Sequence, residues 1–234
     1  EPLVGVRAMA RFDATKFTWL GSANDEVTVC VAWERTGITN FDELYERELI
    51  VAGTGQAGDD PLVRMITGVL GSRIRLVSGY AGGNEANFAM ERGEVDGRCA
   101  WSWSSVKSTR QHWLDNNNIE VLLQLGFQKH ADLPDVPLII DLARSEEERQ
   151  IMRLVLVRGV LGRPFMAPPD IPADRAVALQ QAFAATVSDP QFLSEAARQR
   201  LEIIPISGDE IQQLVTEAYA TPDDVVAKTR EIIR

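Results

Sequence analysis

The stretch between residues 49 and 61 constrains this chain most, because an apolar strand there runs directly into glycines and then into a helix start. Leu49–Ala52 has the continuous apolar character of a buried strand, and the small residues of Gly53–Gly58 let the main chain turn and approach a ligand closely. The first amides of the following helix have no acceptor within that helix, so an anionic group can bind them. The sequence therefore predicts an anion-binding bend built mainly from backbone.

A second junction of strand and helix follows the same logic. Ile74–Val77 reads as the next strand, and it ends in the glycine-rich run Gly79–Gly83 before a segment with apolar residues at helical spacing. Ligands of open α/β sheets collect at the carboxyl ends of strands, so we expect this loop to contact the ligand, although its glycines could serve only to permit the turn. Its predicted ligand residues are Tyr80, Gly82, Gly83 and Asn84.

Strand-like runs alternate with helices through the first half of the chain, as is typical of a parallel sheet covered by helices on both faces. The remaining strand-like runs there are Leu3–Met9, Thr18–Leu20, Val27–Trp33, Arg98–Trp103 and Val121–Leu125. From residue 145 onward the sequence is mainly helical, with capping-box pairs at Ser145 and Glu148 and at Ser207 and Glu210, and with one strand-like run at Glu202–Ile206.

Composition and charge exclude several classes of function. The chain has 234 residues, 45% of them hydrophobic, which is enough for one large domain or two lobes, and its net charge of −10 argues against nucleic-acid binding. No apolar run is long enough to span a bilayer, so we expect no direct membrane insertion.

His112 and His130 lack nearby ligand partners in the sequence, so we predict no metal site. Cys30 and Cys99 lie in apolar runs, either as two buried thiols or as a disulfide if their strands are neighbours.

Catalysis has no support from motifs. The serines lack a G-x-S-x-G elbow and neither histidine has a motif partner, so we expect a protein without catalytic residues and without a cofactor.

Several motifs, in their order and spacing, resemble those of the tripartite tricarboxylate transporter substrate-binding family, the extracytoplasmic receptors also called TctC-like or Bug proteins. The motifs are Gly79–Glu85, Ala89–Gly97, Gly162–Phe165 with Pro168, Pro169 and Pro172, Asp189–Phe192, and Ser207-Gly208.

The resemblance implies an α/β fold of the type 2 periplasmic-binding-protein class, in which two lobes close around a small organic acid. It also implies a periplasmic location and delivery of the solute to the membrane permease subunits of a transporter. The family's first lobe usually begins with a strand and a glycine-rich loop before the position that resembles Phe12-Asp13, so we expect an incomplete first lobe here. The implied division is residues 1–32 as part of lobe 1 and the crossover, 33–137 as lobe 2, and 138–234 as the hinge return and the helical part of lobe 1.

Two other interpretations of Gly53–Gly58 stay open. The run also spells the dinucleotide fingerprint, which would make the chain a Rossmann-type oxidoreductase that uses NAD(P) or a flavin. That fingerprint expects an acid at the end of the next strand, and Arg75–Tyr80 has none. The run could also be a structural turn only.

Acidic residues directly after the glycines weaken the binding of an anionic solute at this loop, because like charges repel. We therefore expect Asp59 or Asp60 to cap the helix with its carboxylate, which would leave Thr54, Gln56 and backbone amides to contact a solute. The acids would then favour a weakly charged, or even amine-bearing, group of the solute. The predicted ligand residues of this loop are Gly53, Thr54, Gly55, Gln56, Ala57, Gly58 and Asp59.

Trp101 and Trp103 stand two residues apart in a strand-like run and would point to one face of that strand. They either belong to the core or form an aromatic wall in the cleft. With the second possibility in view, Trp101 and Ser102 are also predicted to contact the ligand.

Overall fold

The computed structural model describes residues 3–4 and 12–234, and the strands within these residues form two sheets. In the smaller sheet, β1 (Thr18–Ser22) pairs antiparallel with β7 (Pro164–Ala167) on one side and with β8 (Ile206–Ser207) on the other. The predicted strand at Leu3–Met9 falls largely outside the described residues. The strand predicted at Glu202–Ile206 is reduced to β8 and to a single bridge between Ile204 and Asn24.

The larger sheet has the strand order β4-β3-β5-β2-β6. Its strands are β2 (Thr28–Trp33), β3 (Leu49–Gly53), β4 (Ile74–Ser78), β5 (Gly97–Ser102) and β6 (Ile119–Leu125). The prediction of a parallel sheet is wrong in part, because β3, β4 and β5 are mutually parallel whereas β2 runs antiparallel to both of its neighbours. β2 follows β1 through residues 23–27 without an intervening helix, so its direction is set by the crossing from the smaller sheet.

Eight α-helices lie within the described residues: α1 (Asp60–Leu70), α2 (Gly83–Glu91), α3 (Trp103–Asp115), α4 (Glu146–Val160), α5 (Ala173–Ser188), α6 (Pro190–Arg198), α7 (Gly208–Tyr219) and α8 (Asp223–Ile232). Ser207 and Glu210 form both halves of the predicted capping box, whereas the Ser145 hydroxyl accepts from the amide of Glu148 alone. No helix of the described part has the length and apolar character needed to cross a bilayer.

The core divides along the two faces of the larger sheet. α1, α4 and α8 cover one face, where Ile151, Val155 and Val225 join the same buried cluster as the residues of β3 and β6. α2 and α3 cover the other face with a cluster that includes Trp101 and Trp113. α4 and α8 therefore pack on the larger sheet.

Cys30 and Cys99 lie on the neighbouring strands β2 and β5 and are joined in a disulfide. The sequence left this pairing open because it depends on which strands are neighbours. The bond ties together two strands that lie 69 residues apart in the chain.

Candidate functional site

The carboxyl ends of β3, β4 and β5 meet at one edge of the larger sheet, because these three strands are parallel. We call residues 53–59, after β3, the first bend, and residues 79–84, after β4, the second bend. The carbonyl oxygen of Gly53 accepts hydrogen bonds from the amides of Gly79 and Tyr80, at 3.1 and 3.2 Å. The two predicted ligand loops are therefore in direct contact.

The first bend already holds an anionic side chain of its own. Asp60 is 2% exposed, and its Oδ1 accepts from the amide of Gly55 at 3.0 Å while its Oδ2 accepts from the Ser78 hydroxyl at 2.5 Å. A side chain on Gly53 would collide with this carboxylate, so the glycine is required there. Asp60 thus binds one of the backbone amides that were predicted to bind the solute.

The prediction that Asp59 or Asp60 caps α1 with its carboxylate is wrong. Asp59 stands at the N-cap position, but its side chain makes no capping hydrogen bond. Its Oδ2 instead lies 3.2 Å from Nη2 of Arg98, a residue of β5 that is remote in sequence. Burial raises the pKa of the Asp59 carboxyl above its usual range, and the nearby Arg98 only partly offsets this effect.

Arg98 is the site residue that the sequence reasoning missed. It is 8% exposed, and its Nη1 donates to the Gly83 carbonyl oxygen and to Oδ1 of Asn87, both at 3.3 Å. Its guanidinium carbon lies 5.1 Å from the centroid of the Trp101 ring. The sequence signal that could have identified Arg98 is a single charged residue within an apolar strand, because a buried charge needs a partner. Arg98 connects the first bend, the second bend and the end of β5.

Parts of the first bend are bound to other elements. Nε2 of Gln56 donates to the carbonyl oxygen of Ile233 at 2.9 Å, and Nη2 of Arg158 donates to the Ala57 carbonyl oxygen at 3.1 Å. The hydroxyl of Thr54 accepts from the Asp59 amide at 3.4 Å and lies where a side chain on Gly58 would stand. The first bend is thus attached to α4 and to the end of α8, and the amide group of Gln56 is engaged within the protein.

The second bend presents a more open surface. Gly82 takes the N-cap position of α2, so Asn84 lies inside the first helical turn with an exposed side chain. Tyr80 is half-buried against the aromatic cluster of the larger sheet. Gly83 packs directly on Arg98, where an added Cβ would stand 2.8 Å from Nη1.

The two tryptophans occupy different elements. β5 ends at Ser102 and Trp103 begins α3, so the period of a strand does not extend to Trp103. Trp101 is 3% exposed within the core, where its ring supports Arg98. The Ser102 hydroxyl caps α3 by accepting from the amide of Ser105 at 3.3 Å. This helix start was not predicted, because the sequence reads as strand through Trp103.

Comparison with known proteins gives no match by sequence, whereas comparison of structures finds proteins of similar fold. No family model matches the sequence, and no curated protein matches it either. A TctC solute binding protein from Polaromonas, solved with no ligand, has a TM-score of 0.68 at 12% identity over 95% of this chain and 73% of that chain. The R. palustris protein Rpa4515 with adipate has a TM-score of 0.65 at 18% identity over 98% of this chain and 73% of that chain. The periplasmic binding protein BugD has a TM-score of 0.59 at 15% identity over 91% of this chain and 69% of that chain.

The chain has the fold of the TctC and Bug periplasmic binding proteins. The resemblance read from the motifs is confirmed at the level of the fold, and so is the α/β, periplasmic-binding-protein-like class. In this TctC- and Bug-type fold, the two predicted bends follow the carboxyl ends of β3 and β4.

A polar cluster joins α3, the loop after β6 and the segment before β8. His130 has acidic neighbours in space, contrary to the expectation from its sequence neighbourhood: a nitrogen of His130, a carboxylate oxygen of Asp132 and one of Glu202 all lie within 4.8 Å of one another. Nζ of Lys107 bridges the two carboxylates at 2.7 and 2.9 Å. The Asp132 amide donates to Nδ1 of His130, which assigns the ring proton to Nε2, 3.1 Å from Glu202. A lysine ammonium thus takes the position between the acids.

A cavity of about 460 Å³ also lies outside the bends, between α1, β4 and the end of α8. Its lining is mainly apolar and includes Arg64 and Arg234, and none of the predicted ligand residues contributes to it. The cavity nevertheless borders the bends, because its lining residue Ser78 directly precedes the second bend and donates to Asp60.

Proposed function

We propose that this chain is an extracytoplasmic solute-binding receptor that captures a small organic carboxylate by closure of two lobes. In this proposal the solute then passes to the permease subunits of a tripartite tricarboxylate-type membrane transporter. The binding needs no covalent chemistry, because contacts of one solute with both lobes favour the closed arrangement.

The observation that carries the proposal is the convergence of both bends on one buried cation. Asp59 of the first bend and the Gly83 carbonyl of the second bend both contact Arg98, and the bends share hydrogen bonds at Gly53. Ligands of open α/β sheets bind at this place in the fold. A guanidinium matches the planar geometry of a carboxylate. Arg98 can therefore bind a carboxylate group of a solute.

The fold supports the same class of function. Solved proteins with this fold include a solute binding protein and a protein with adipate, a dicarboxylate. The disulfide between Cys30 and Cys99 is consistent with an oxidising compartment such as the periplasm.

The contacts of Gly53–Gly58 argue against the second interpretation of this run, a dinucleotide-binding enzyme. The carboxylate of Asp60 accepts from the Gly55 amide, so a negative charge stands where the pyrophosphate would approach. α1 also begins at Asp60, after the third glycine of the fingerprint.

A thermal-shift comparison tests the proposal on the 234-residue chain. We expect at least one of succinate, glutarate and adipate to raise the melting temperature, because a solute that binds only the folded state stabilises it by about 2.7 kcal/mol at 100 times its Kd. Sodium chloride at matched ionic strength controls for unspecific salt effects. Stabilisation by NAD or a flavin alone would overturn the receptor proposal, and so would no stabilisation by any carboxylic acid, amino-substituted acids included.

A further inference from the structure

The ion pair of Asp59 and Arg98 leaves one nitrogen of the guanidinium without a hydrogen-bond partner among the described residues. The edge of a guanidinium that carries Nε and Nη2 can hold both oxygens of one carboxylate. Asp59 offers one oxygen to Nη2, at 3.2 Å, and Nε is buried without a hydrogen-bond partner among the described residues. The Arg98 side chain itself is only 9% exposed. One strong donor at the meeting point of the two bends is thus unused.

The arginine is held in place independently of Asp59. Nη1 donates to the second bend and to Asn87, and the ring of Trp101 lies under the guanidinium. Asp59, by contrast, lies at the end of the first bend, is 16% exposed and is free of the capping bond that would fix its carboxylate. The acid can therefore move away from Nη2 while the arginine keeps its position.

Leaving either charge alone in this place is unfavourable, because both groups are largely desolvated. A solute with a carboxylate but no positive charge would take Arg98 and leave Asp59 unpaired next to a second anion. A solute with an ammonium group beside its carboxylate would satisfy both residues. Because Asp59 and Arg98 are in contact, the two groups of the solute must be adjacent, as they are on the α-carbon of an amino acid.

We propose that Asp59 and Arg98 form a subsite for an α-amino acid group: the solute carboxylate binds the Nε and Nη2 edge of Arg98, and its ammonium binds the displaced carboxylate of Asp59. This inference rests on the proposed function and narrows its solute class from organic acids to α-amino acids with an acidic or polar remainder.

Matched solutes that differ by one ammonium group test the inference by isothermal titration of the whole chain. The pairs are succinate and L-aspartate, glutarate and L-glutamate, and adipate and L-2-aminoadipate. We expect the amino member of the best-bound pair to bind about tenfold more tightly or better, since hydrogen bonds to charged groups are worth this much. Equal binding, or tighter binding of the plain dicarboxylate, overturns the inference and leaves the receptor proposal standing. No binding of any of the six solutes overturns both.

Variants test whether Asp59 causes the preference for the amino solute. Asp59→Asn should remove the preference and improve the affinity for the plain dicarboxylate. Glu91→Gln makes the same change of charge at the far end of α2, on an exposed acid, and should keep the preference. If Asp59→Asn fails to fold because Arg98 is left unpaired, the double variant Asp59→Asn with Arg98→Gln removes both charges. A preference for the amino solute that persists in either variant contradicts the subsite.

Discussion

At the scale of single residues, the first bend depends on contacts that the sequence does not display. Asp59 and Asp60 are adjacent, yet one pairs with Arg98 and the other binds the Gly55 amide and Ser78. Two neighbouring acids thus have different functions, because the helix start points their side chains toward different strands.

Gly58 gives a prediction at this scale. A Cβ there would collide with the Thr54 hydroxyl, so we expect Gly58→Ala to lower the free energy of unfolding by about 1–3 kcal/mol, as overpacking does. Urea denaturation measures this value. In a Thr54→Ala background the loss should shrink, because the colliding oxygen is gone.

Gly159→Ala is the matched control, since no atom outside its neighbours and its own helix backbone lies within 4 Å of the added Cβ. It should be neutral or slightly stabilising, because alanine favours a helix interior by about 0.5–1 kcal/mol over glycine. An equal loss for Gly58→Ala in both backgrounds would contradict the assigned collision.

At the scale of elements, Lys107 joins parts of the molecule that are distant in sequence. It lies on α3 and bridges Asp132, in the loop after β6, to Glu202, in the segment before β8. Burial would lower the pKa of Lys107, but the hydrogen bonds to Asp132 and Glu202 outweigh this and raise the pKa above its ordinary value of 10.5. The hydrogen bond from Lys107 in turn lowers the pKa of Asp132 below its ordinary value of 3.8.

These shifts set the pH range of the bridge. Asp132 contributes stability above its ordinary pKa of 3.8 and loses it as the pH falls through its lower folded pKa. Lys107 contributes stability below its ordinary pKa of 10.5 and loses it as the pH rises through its higher folded pKa. The bridge is therefore intact across the neutral range.

Lys107→Met should lower the free energy of unfolding at pH 7 by about 1 kcal/mol, a value reduced by the partial exposure of the bridge. Urea midpoints should then fall less between pH 7 and pH 3 in the variant than in the unchanged chain, because the contribution of Asp132 is already lost. Lys228→Met removes an ion pair of which both side chains are about half exposed, with Glu147, and should change stability by less than about 0.5 kcal/mol. Equal effects of the two variants would refute a structural role for the bridge.

At the scale of the whole molecule, the disulfide joins the middle of the larger sheet. It connects β2, which enters from the smaller sheet, to β5, which carries Arg98. Both cysteines are fully buried.

Reduction should destabilise the chain substantially. A closed loop with a sequence separation of 69 residues restricts the unfolded state, and chain-entropy arguments assign about 4 kcal/mol to a loop of this size. Urea denaturation with and without a phosphine reductant measures the difference. The double variant Cys30→Ala with Cys99→Ala should be insensitive to the reductant. Two free thiols by mass spectrometry after unfolding in alkylating reagent would show that the pairing does not form.

The sequence by itself determined the local structure of much of this protein. Capping residues act over a few neighbouring positions, so Ser145 and Ser207 predicted helix starts that the structure confirms. The motifs also predicted the fold class, since their order and spacing extend along most of the chain.

The tertiary structure alone decided which side chains share a site. Arg98 meets Asp59 across 39 residues, and Glu202 meets His130 across 72, through sheet order and crossovers that no local pattern encodes. The direction of β2, the pairing of Cys30 with Cys99 and the placement of α4 against the larger sheet depend on the same long-range packing. Local propensity acts within a few residues, whereas the energy of a buried charge depends on whatever the folded chain brings beside it.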